Sequence, residues 1–195
     1  MARYTKEHKQ VTRQRIIERA GHRFKQDGID GSGISTLMSD AGLTNGAFYS
    51  HFASKDDLVA QVIEDQLERQ AQYFDQLLAQ PSGLERLLSE YLSAQQRDDR
   101  ALGCPSVALL DEISRTSAAG RHAYTVGATK IIEHLADHLV MRGLTEGGAA
   151  TARAKAIALF GLLVGTMQLA RAVDDQELSD EVLASALEQA RALIR

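Results

Sequence analysis

Apolar residues recur at helical spacing through almost the whole chain, and this periodicity restricts the fold more than any other feature of the sequence. The pattern first appears over residues 12–27, where Ile16, Ile17, Ala20 and Phe24 share one face. Only two prolines occur in 195 residues, and the helix-favouring residues Ala, Leu, Gln, Glu and Arg are abundant. No strand pattern competes with this reading. We therefore predict an all-α fold.

Glycine, proline and acidic turns divide the pattern into nine helical segments. Gly42 suits the left-handed residue that often follows a helix, and Ser54 before two aspartates suits the start of another. Ser82 and Glu85 have the spacing of a capping box. The predicted segments are 12–27, 34–41, one starting near 44, 55–79, 82–97, 106–115, 121–141, 149–173 and 179–194.

The charge of the chain is unevenly distributed. Residues 1–26 contain eight basic residues against Glu7 and Glu18, a net charge of +6, so the other 169 residues carry −10 of the total of −4. Only the amino-terminal segment is therefore expected to attract a polyanion, although a solvated helix face is the alternative. The basic residues are Arg3, Lys6, Lys9, Arg13, Arg15, Arg19, Arg23 and Lys25.

The remaining composition narrows the location and the chemistry. The longest apolar run, residues 156–167, is too short to span a bilayer, and the first ten residues lack the apolar stretch of a signal peptide. We therefore expect a cytoplasmic protein without a membrane partner. A single cysteine, Cys104, excludes an internal disulfide framework and a thiolate metal cluster. We expect neither a cofactor nor a metal site.

The stretch LTNGAFYSHFASKDDL, residues 43–58, has a helix-turn-helix arrangement with the segment before it. At helical spacing Asn45, Gly46 and Tyr49 fall on one outward polar face. Phe48 and Phe52 lie behind them. We expect these two rings to lock a small three-helix unit by packing against Leu37, Met38, Ile16, Ile17 and Phe24.

The polar residues of this stretch suit contacts with duplex DNA. Thr44 and Asn45 stand at the amino end of the second helix, where side chains meet base edges, and Gly46 allows close backbone approach. Tyr49, His51 and Lys55 each offer a donor to a phosphate oxygen. The alternative for His51 is a buried histidine that closes the helix end.

The motif also carries a family resemblance. Residues 41–58, AGLTNGAFYSHFASKDDL, resemble the signature of the tetracycline-repressor (TetR/AcrR) family of transcription regulators. The resemblance implies an all-helical homodimer with a DNA-binding domain over residues 1–55 and an effector-binding and dimerisation domain of about six helices over residues 56–195. It places base contacts on Thr44, Asn45 and Gly46.

The same resemblance implies phosphate contacts at Tyr49, His51 and Lys55. One departure is Gly33, which stands where the family often has a capping threonine that touches phosphate. Ser35 or Ser32 is expected to substitute for it. Leu37-Met38 replaces a commoner Ile-Ala pair and changes only core packing.

The carboxy-terminal pair of helices is expected to form the dimer interface. Residues 156–167 are apolar or small around the whole helix, which indicates burial on every side. Pairing across a two-fold axis would supply that burial, and a central helix within one chain is the alternative. The expected interface residues are Gly161, Gly165, Val182, Leu183, Ala186, Leu187, Ala190, Leu193 and Ile194.

The effector pocket is expected between the helices that follow residue 56. Its candidate lining residues are Tyr73, Phe74, Tyr91, Cys104, Tyr124, Phe160 and Met167, all equally compatible with a core role. Cys104 lies at the start of a predicted helix, where a thiol can become reactive. A small buried cysteine is the plainer interpretation.

The sequence as a whole predicts a sequence-specific regulator, most simply a repressor released from a palindromic operator by a small molecule. A thiol-based sensor acting through Cys104 is the alternative. An adaptor or an enzyme is more remote, since Asp111, Glu112 and His122, or the pair His134 and His138, lack a nucleophile, phosphate loop or complete metal set. The two paired histidines are expected to be exposed.

Overall fold

The computed structural model describes residues 2–101 and 103–194, with side chains from residue 7 onward, so the side chains of Arg3 and Lys6 lie outside the described residues. The described part of the chain contains α-helices and one 3-10 helix but no strand, which confirms the predicted all-α class. The elements are α1 (Ala2–Asp27), α2 (Ile34–Asp40), the recognition helix (Asn45–Ser50, 3-10), α3 (Lys55–Leu78), α4 (Gly83–Tyr91), α5 (Ala94–Asp98), α6 (Pro105–Arg115), α7 (Ala118–Met141), α8 (Gly148–Ala172) and α9 (Gln176–Leu193).

Two predicted segments differ most from the structure: α1 begins at Ala2 instead of residue 12, and two helices replace one at residues 82–97. The expected capping box is wrong: Ser82 is left-handed, with φ 55°, and its side chain caps nothing. Glu85 instead accepts a hydrogen bond from Arg191 of α9, with 3.0 Å between its Oε1 and Arg191 Nε. Ser93 then starts α5 by accepting from Gln96 N at 3.1 Å. A tertiary ion pair has displaced a local cap.

The long helices α3, α7 and α8 form the centre of the molecule, with α9 packed on α8. Gly127 explains how α3 and α7 approach so closely, because a Cβ at this position would lie 2.5 Å from Cβ of Leu67. The core continues on α3 through Leu58 and Phe74, both fully buried. Only a glycine fits on α7 where it crosses Leu67.

The amino-terminal unit consists of α1, α2 and the recognition helix. Its apolar side chains form a core that continues into α3. Phe48 is 0% exposed and Phe52 is 2% exposed, with their ring centroids 5.6 Å apart. Phe24, Leu37 and Met38 are buried in the same hydrophobic cluster. Burial of each ring contributes about 1.5–3 kcal/mol, which is large for helices of six and seven residues. The predicted aromatic lock is confirmed.

The loop after α1 is held by side chains from two other helices. Glu112 of α6 accepts hydrogen bonds from the backbone N–H groups of Ile29, at 2.7 Å, and Asp30, at 3.1 Å. Lys55, the first residue of α3, donates from Nζ to the carbonyl oxygen of Ile29 at 2.6 Å. We call Glu112, Lys55 and Ile29 the interdomain joint. It ties α6 directly to the unit that carries the recognition helix.

Helix α8 is apolar but not covered on all sides. It buries Leu159, Leu163 and Met167, whereas Ile157 is 50% and Leu169 is 52% exposed. A single chain therefore does not bury α8 on every side, as expected when part of the burial needs a second copy. Among the described helices α8 alone has the length and apolar composition to cross a membrane. The shorter run considered in the sequence understated that length.

Candidate nucleic-acid interface

The turn before the recognition helix is built from backbone hydrogen bonds. Gly42 takes the predicted left-handed conformation, with φ 69°, and Leu43 N donates to Met38 O at 2.9 Å. Thr44 is extended, and its carbonyl accepts from Ala47 N at 3.0 Å to start the helix. The helix is a 3-10 helix rather than the expected α-helix. It nevertheless stands after α2 as a helix-turn-helix requires.

The recognition helix has one outward polar face and one buried aromatic face. Thr44, Asn45 and Gly46 are exposed, and Tyr49 is 72% exposed. The buried ring of Phe48 meets the Tyr49 ring edge-on, with 5.2 Å between centroids. The expected division between outward and inward residues is therefore confirmed. The ring and the hydroxyl group of Tyr49 are therefore exposed to solvent.

Gly46 has no structural reason to be a glycine. Its φ is not positive, and a Cβ added to it would meet nothing within 4 Å. Gly46 stands in the first turn of the helix, where the packing of this chain leaves room for a larger residue. The empty space allows the backbone of a partner to come close to the recognition helix.

Two basic residues of α1 flank this surface. Lys9 and Arg13 lie close enough to His51 to lower its pKa, although burial of the imidazole is the larger cause. Arg13 also lies over the ring of Phe52, 5.0 Å from the centroid, and its Nε donates to the carbonyl of His51 at 3.4 Å. His51 therefore favours its neutral form, and Lys9 and Arg13 supply the charge.

Three further polar residues differ in what they offer a phosphate. Ser35 is exposed near the start of α2 and is free to replace the threonine missing at Gly33. Ser32 is 1% exposed and donates to Gly28 O at 2.6 Å, so it is not available. Lys55 is engaged in the interdomain joint, and only its remaining N–H donors are left for a phosphate.

The basic segment is less uniform than its net charge suggests. Arg23 is paired with Asp40 and Asp27, at 2.8 Å in each case, and these hydrogen bonds raise its pKa. Lys25 is buried. The sequence reading did not single out Lys9 and Arg13, yet their spacing of four residues places both on one face of α1.

Three of the seven expected effector residues line one cavity. Tyr73, Phe74 and Tyr91 lie on the wall of a space of about 500 Å³ beside α1. Cys104 is 1% exposed and lies between two of the lining residues, Gly103 and Pro105. Three others do not line this cavity: Phe160 and Met167 lie in the core, and Tyr124 donates to Ser106 Oγ at 3.1 Å.

The expected dimer residues fall into three groups. Gly161 and Gly165 are exposed on α8. Leu183, Ala186 and Ala190 are buried within the chain, where α9 packs on α8 and α4. The partly buried residues are Val182, Leu187, Leu193 and Ile194.

The residues considered for enzyme chemistry do not form a site. Glu112 is bound to the loop after α1, and Asp111 pairs with Arg115 at 2.6 Å. The expected exposure of the paired histidines is wrong, since His138 is 4% exposed and burial lowers its pKa. His134 is 3.9 Å from Asp75. No group of three or more metal-ligating side chains occurs among the described residues.

These features define an all-helical protein with an amino-terminal helix-turn-helix. Residues 11–62 match the family model described as bacterial regulatory proteins, tetR family. This match assigns residues 11–62, the amino-terminal helices and the start of α3, to that family. It is similar to the HTH-type transcriptional regulator AcrR of Shigella flexneri, with 41% identity over 64 residues. That match covers 33% of this chain and spans only 30% of the length of AcrR.

The likeness to solved structures extends over the whole fold. The reduced form of E. coli NemR superposes with a TM-score of 0.75 and 26% identity, covering 93% of this chain and 96% of NemR. Bacillus subtilis FadR, solved in complex with stearoyl-CoA, has a TM-score of 0.65 at 18% identity. The superposition covers 89% of this chain and 97% of FadR. At this identity the likeness shows a shared fold and nothing more. AcrR and FadR are both named as transcriptional regulators.

The charges beside the recognition helix predict a specific salt dependence of DNA binding. We expect Lys9→Gln and Arg13→Gln each to reduce the slope of log affinity against log salt concentration by about one, because each cation contributes one released counterion. At pH 8, where His51 is neutral, His51→Gln should weaken binding without changing the slope. Fluorescence anisotropy at several salt concentrations measures both.

Lys130→Gln is the matched control, since it removes the same charge from α7, where Lys130 pairs with Glu68 at 2.6 Å. Thermal unfolding of each variant checks that loss of the Arg13–Phe52 contact has not unfolded the unit. A slope that stays at the wild-type value in both Lys9 and Arg13 variants would show that α1 does not approach the phosphates.

Proposed function

We propose that the protein is a homodimeric, sequence-specific transcriptional regulator that represses by occupying a palindromic operator in double-stranded DNA. The observation that carries this proposal is the exposed face of Asn45, Gly46 and Tyr49 on a helix held by buried rings, beside Lys9 and Arg13. The naming of AcrR as a transcriptional regulator supports it. We place the protein in the cytoplasm, where its operator would be.

The proposed contacts follow from the position of each residue on the recognition helix. Thr44 and Asn45 lie at its amino end and are assigned to base edges, where an asparagine amide can pair with adenine through two hydrogen bonds. Gly46 brings the backbone close to the groove. Tyr49 and His51 are assigned to phosphates, together with Ser35 and the free donors of Lys55.

The two kinds of contact separate in a mutational test. Asn45→Ala should change base preference and cost about 1–3 kcal/mol on the cognate sequence only. Tyr49→Phe, which removes a hydroxyl without disturbing the ring, should weaken cognate and scrambled duplexes by the same factor. Titration of both variants on duplexes from the region upstream of the gene measures this. Wild-type protein that binds no duplex at low salt would refute the proposal and favour a helical adaptor.

The homodimer is proposed from the uncovered face of α8. Ile157, Gly161, Gly165 and Leu169 recur every four residues on this face, and such a stripe allows two helices to pack closely. The two glycines have nothing within 4 Å of an added Cβ. Exposed apolar surface of this extent is typical of an association site. We assign the interface to this stripe and to the partly buried residues of α9.

A charge on the stripe should separate the two subunits. We expect Leu169→Glu, or Ile157→Glu, to shift the protein from dimer to monomer in sedimentation velocity and to abolish binding to a palindromic duplex, because both half-sites must be met together. Val126→Glu is the control, since Val126 of α7 is 56% exposed but lies outside the stripe. Dimers in all three variants would exclude this interface.

Release by a small molecule is proposed to act through the interdomain joint. Glu112 stands on α6 and holds the backbone after α1, so a movement of α6 is transmitted to the recognition helix. The two half-sites of a palindrome one helical turn apart are separated by about 34 to 36 Å. A small rotation of one recognition helix relative to the other therefore prevents both from meeting their half-sites together. In this proposal residues 1–55 bind DNA and residues 56–195 hold the effector and the dimer interface.

The alternative release signal is modification of Cys104. Cys104 is the N-cap residue of α6 and is buried. A reagent therefore reaches its sulfur only when the segment between α5 and α6 opens. If this route operates, treatment with a mild electrophile should release the wild-type protein from DNA and leave a mass adduct on Cys104. Cys104→Ser should then stay bound. Normal release of Cys104→Ser, or an unmodified Cys104, would remove this alternative.

A further inference from the structure

A cavity of about 500 Å³ lies where α1 meets α3, α4 and the segment between α5 and α6. Its volume falls in the range of small-molecule sites. Phe74, Leu87 and Pro105 form an apolar wall, and polar groups of α1 and α3 face them. The cavity therefore spans the amino-terminal unit and the helices that follow it, instead of lying within one of them.

The most unusual group in this cavity is the buried ammonium of Lys25. The residue is 8% exposed, and its Nζ donates one hydrogen bond, to Gly103 O at 3.3 Å. No carboxylate of a described residue lies within ion-pair distance. Burial lowers its pKa to about 8, opposed by the thiol of Cys104 and by Asp99. The amine is therefore still mainly charged at neutral pH, with two N–H donors unused.

A second donor in the same wall, the hydroxyl of Tyr91, has only the thiol of Cys104 as a hydrogen-bonding neighbour in the described part of the chain. Tyr91 is 5% exposed, and its Oη has no nitrogen or oxygen partner among the described residues. Burial raises its pKa, so the hydroxyl keeps its proton and remains a donor. The side-chain amides of Gln70 and Gln96, which also line the cavity, make no hydrogen bond to a described residue.

The two carboxylates that line the cavity, Glu18 and Glu90, already have hydrogen-bond and ion-pair partners. Glu18 accepts from Arg69 at 2.5 Å, and Glu90 accepts from Arg86 at 3.0 Å and from Tyr73 at 2.5 Å. The unsatisfied groups are thus a cation, a hydroxyl donor and two glutamine amides, which can donate as well as accept. A group that complements them is negatively charged, accepts several hydrogen bonds and is attached to an apolar body that fits the wall of Phe74 and Leu87.

We propose that this cavity binds the carboxylate of a small aromatic or aliphatic acid, with Lys25 and Tyr91 as the anchoring residues. The proposal deepens the proposed function, on which it rests for the role of the acid as the releasing effector. The binding of the acid does not require DNA and can be measured without it. Pairing removes the cost of the buried ammonium, so the acid also stabilises the folded protein.

The position of Lys25 gives the acid a direct route to the DNA-binding surface. In the unliganded chain the Lys25–Gly103 hydrogen bond links α1 to the segment before α6. A carboxylate that recruits this amine weakens the link. Because α1 also carries Lys9 and Arg13, a shift of α1 moves the cations that flank the recognition helix. By linkage, operator DNA must lower the affinity for the acid by the same factor.

Calorimetric titration of the full chain without DNA tests the site. The probes are benzoate and octanoate, with benzamide and octanamide as neutral analogues of the same shape. We expect at least one acid to bind with a dissociation constant of millimolar or lower, and its amide to bind at least about tenfold more weakly, as the loss of a charged hydrogen bond implies.

Two variants identify the anchoring residues. Lys25→Met, which keeps an apolar chain in the buried position, should lower the affinity for the acid at least about tenfold. Lys155→Met is the control, because Lys155 also donates to a backbone carbonyl, Leu144 O at 3.1 Å, but lies outside the cavity lining. Tyr91→Phe removes a hydroxyl with no oxygen or nitrogen partner and should lower the affinity about three- to tenfold while keeping the fold.

Three outcomes would overturn the site: amides that bind as tightly as acids, wild-type affinity in a folded Lys25→Met, or no binding of either acid at millimolar concentration. If Lys25→Met does not fold, unchanged affinity in Tyr91→Phe has the same force. Duplex binding is measured separately by anisotropy. Protein that binds an acid through Lys25 but binds no duplex keeps this site and loses the proposed function, whereas the reverse result loses only the site.

Discussion

The burial of Phe48 and Phe52 is the interaction on which the rest of the structure depends. The two elements of the helix-turn-helix are only seven and six residues long, too short to persist through their own hydrogen bonds. The rings provide the apolar surface that holds them to α1 and to each other. Because Phe48 and Tyr49 are adjacent, burying one ring determines the direction of the other.

Polar contacts hold the loop after α1 to the larger helical part, in addition to the apolar core that continues from the amino-terminal unit into α3. Glu112 and Lys55 approach the same loop residue, Ile29, and satisfy its backbone N–H and carbonyl groups. A few directional hydrogen bonds can be broken or shifted at less cost than a packed core. Glu112 lies on α6, and Gly103, which accepts from Lys25, lies just before it. A movement of α6 is therefore passed to α1 through both hydrogen bonds.

Much of the fold could be predicted from local pattern, because long amphipathic helices carry their period in the sequence. The 3-10 form of the recognition helix could not be predicted, since six residues do not distinguish spacings of three and four. Glu85 has the correct spacing for a local cap, but Arg191, more than a hundred positions away, binds it. Lys25 looks like any other member of a basic segment, and only the tertiary packing of α1 shows that it is buried.

The space around Gly46 has a consequence for the evolution of this surface. The outward residues Thr44, Asn45 and Gly46 contribute no packing to the interior, so replacing them costs little folding free energy. Under the proposed function, a duplicated copy of the gene can acquire a new target sequence through a few substitutions here, without compensating changes in the core. In this unit the residues that can change, Thr44 to Gly46, stand close to a residue that the fold requires, Phe48.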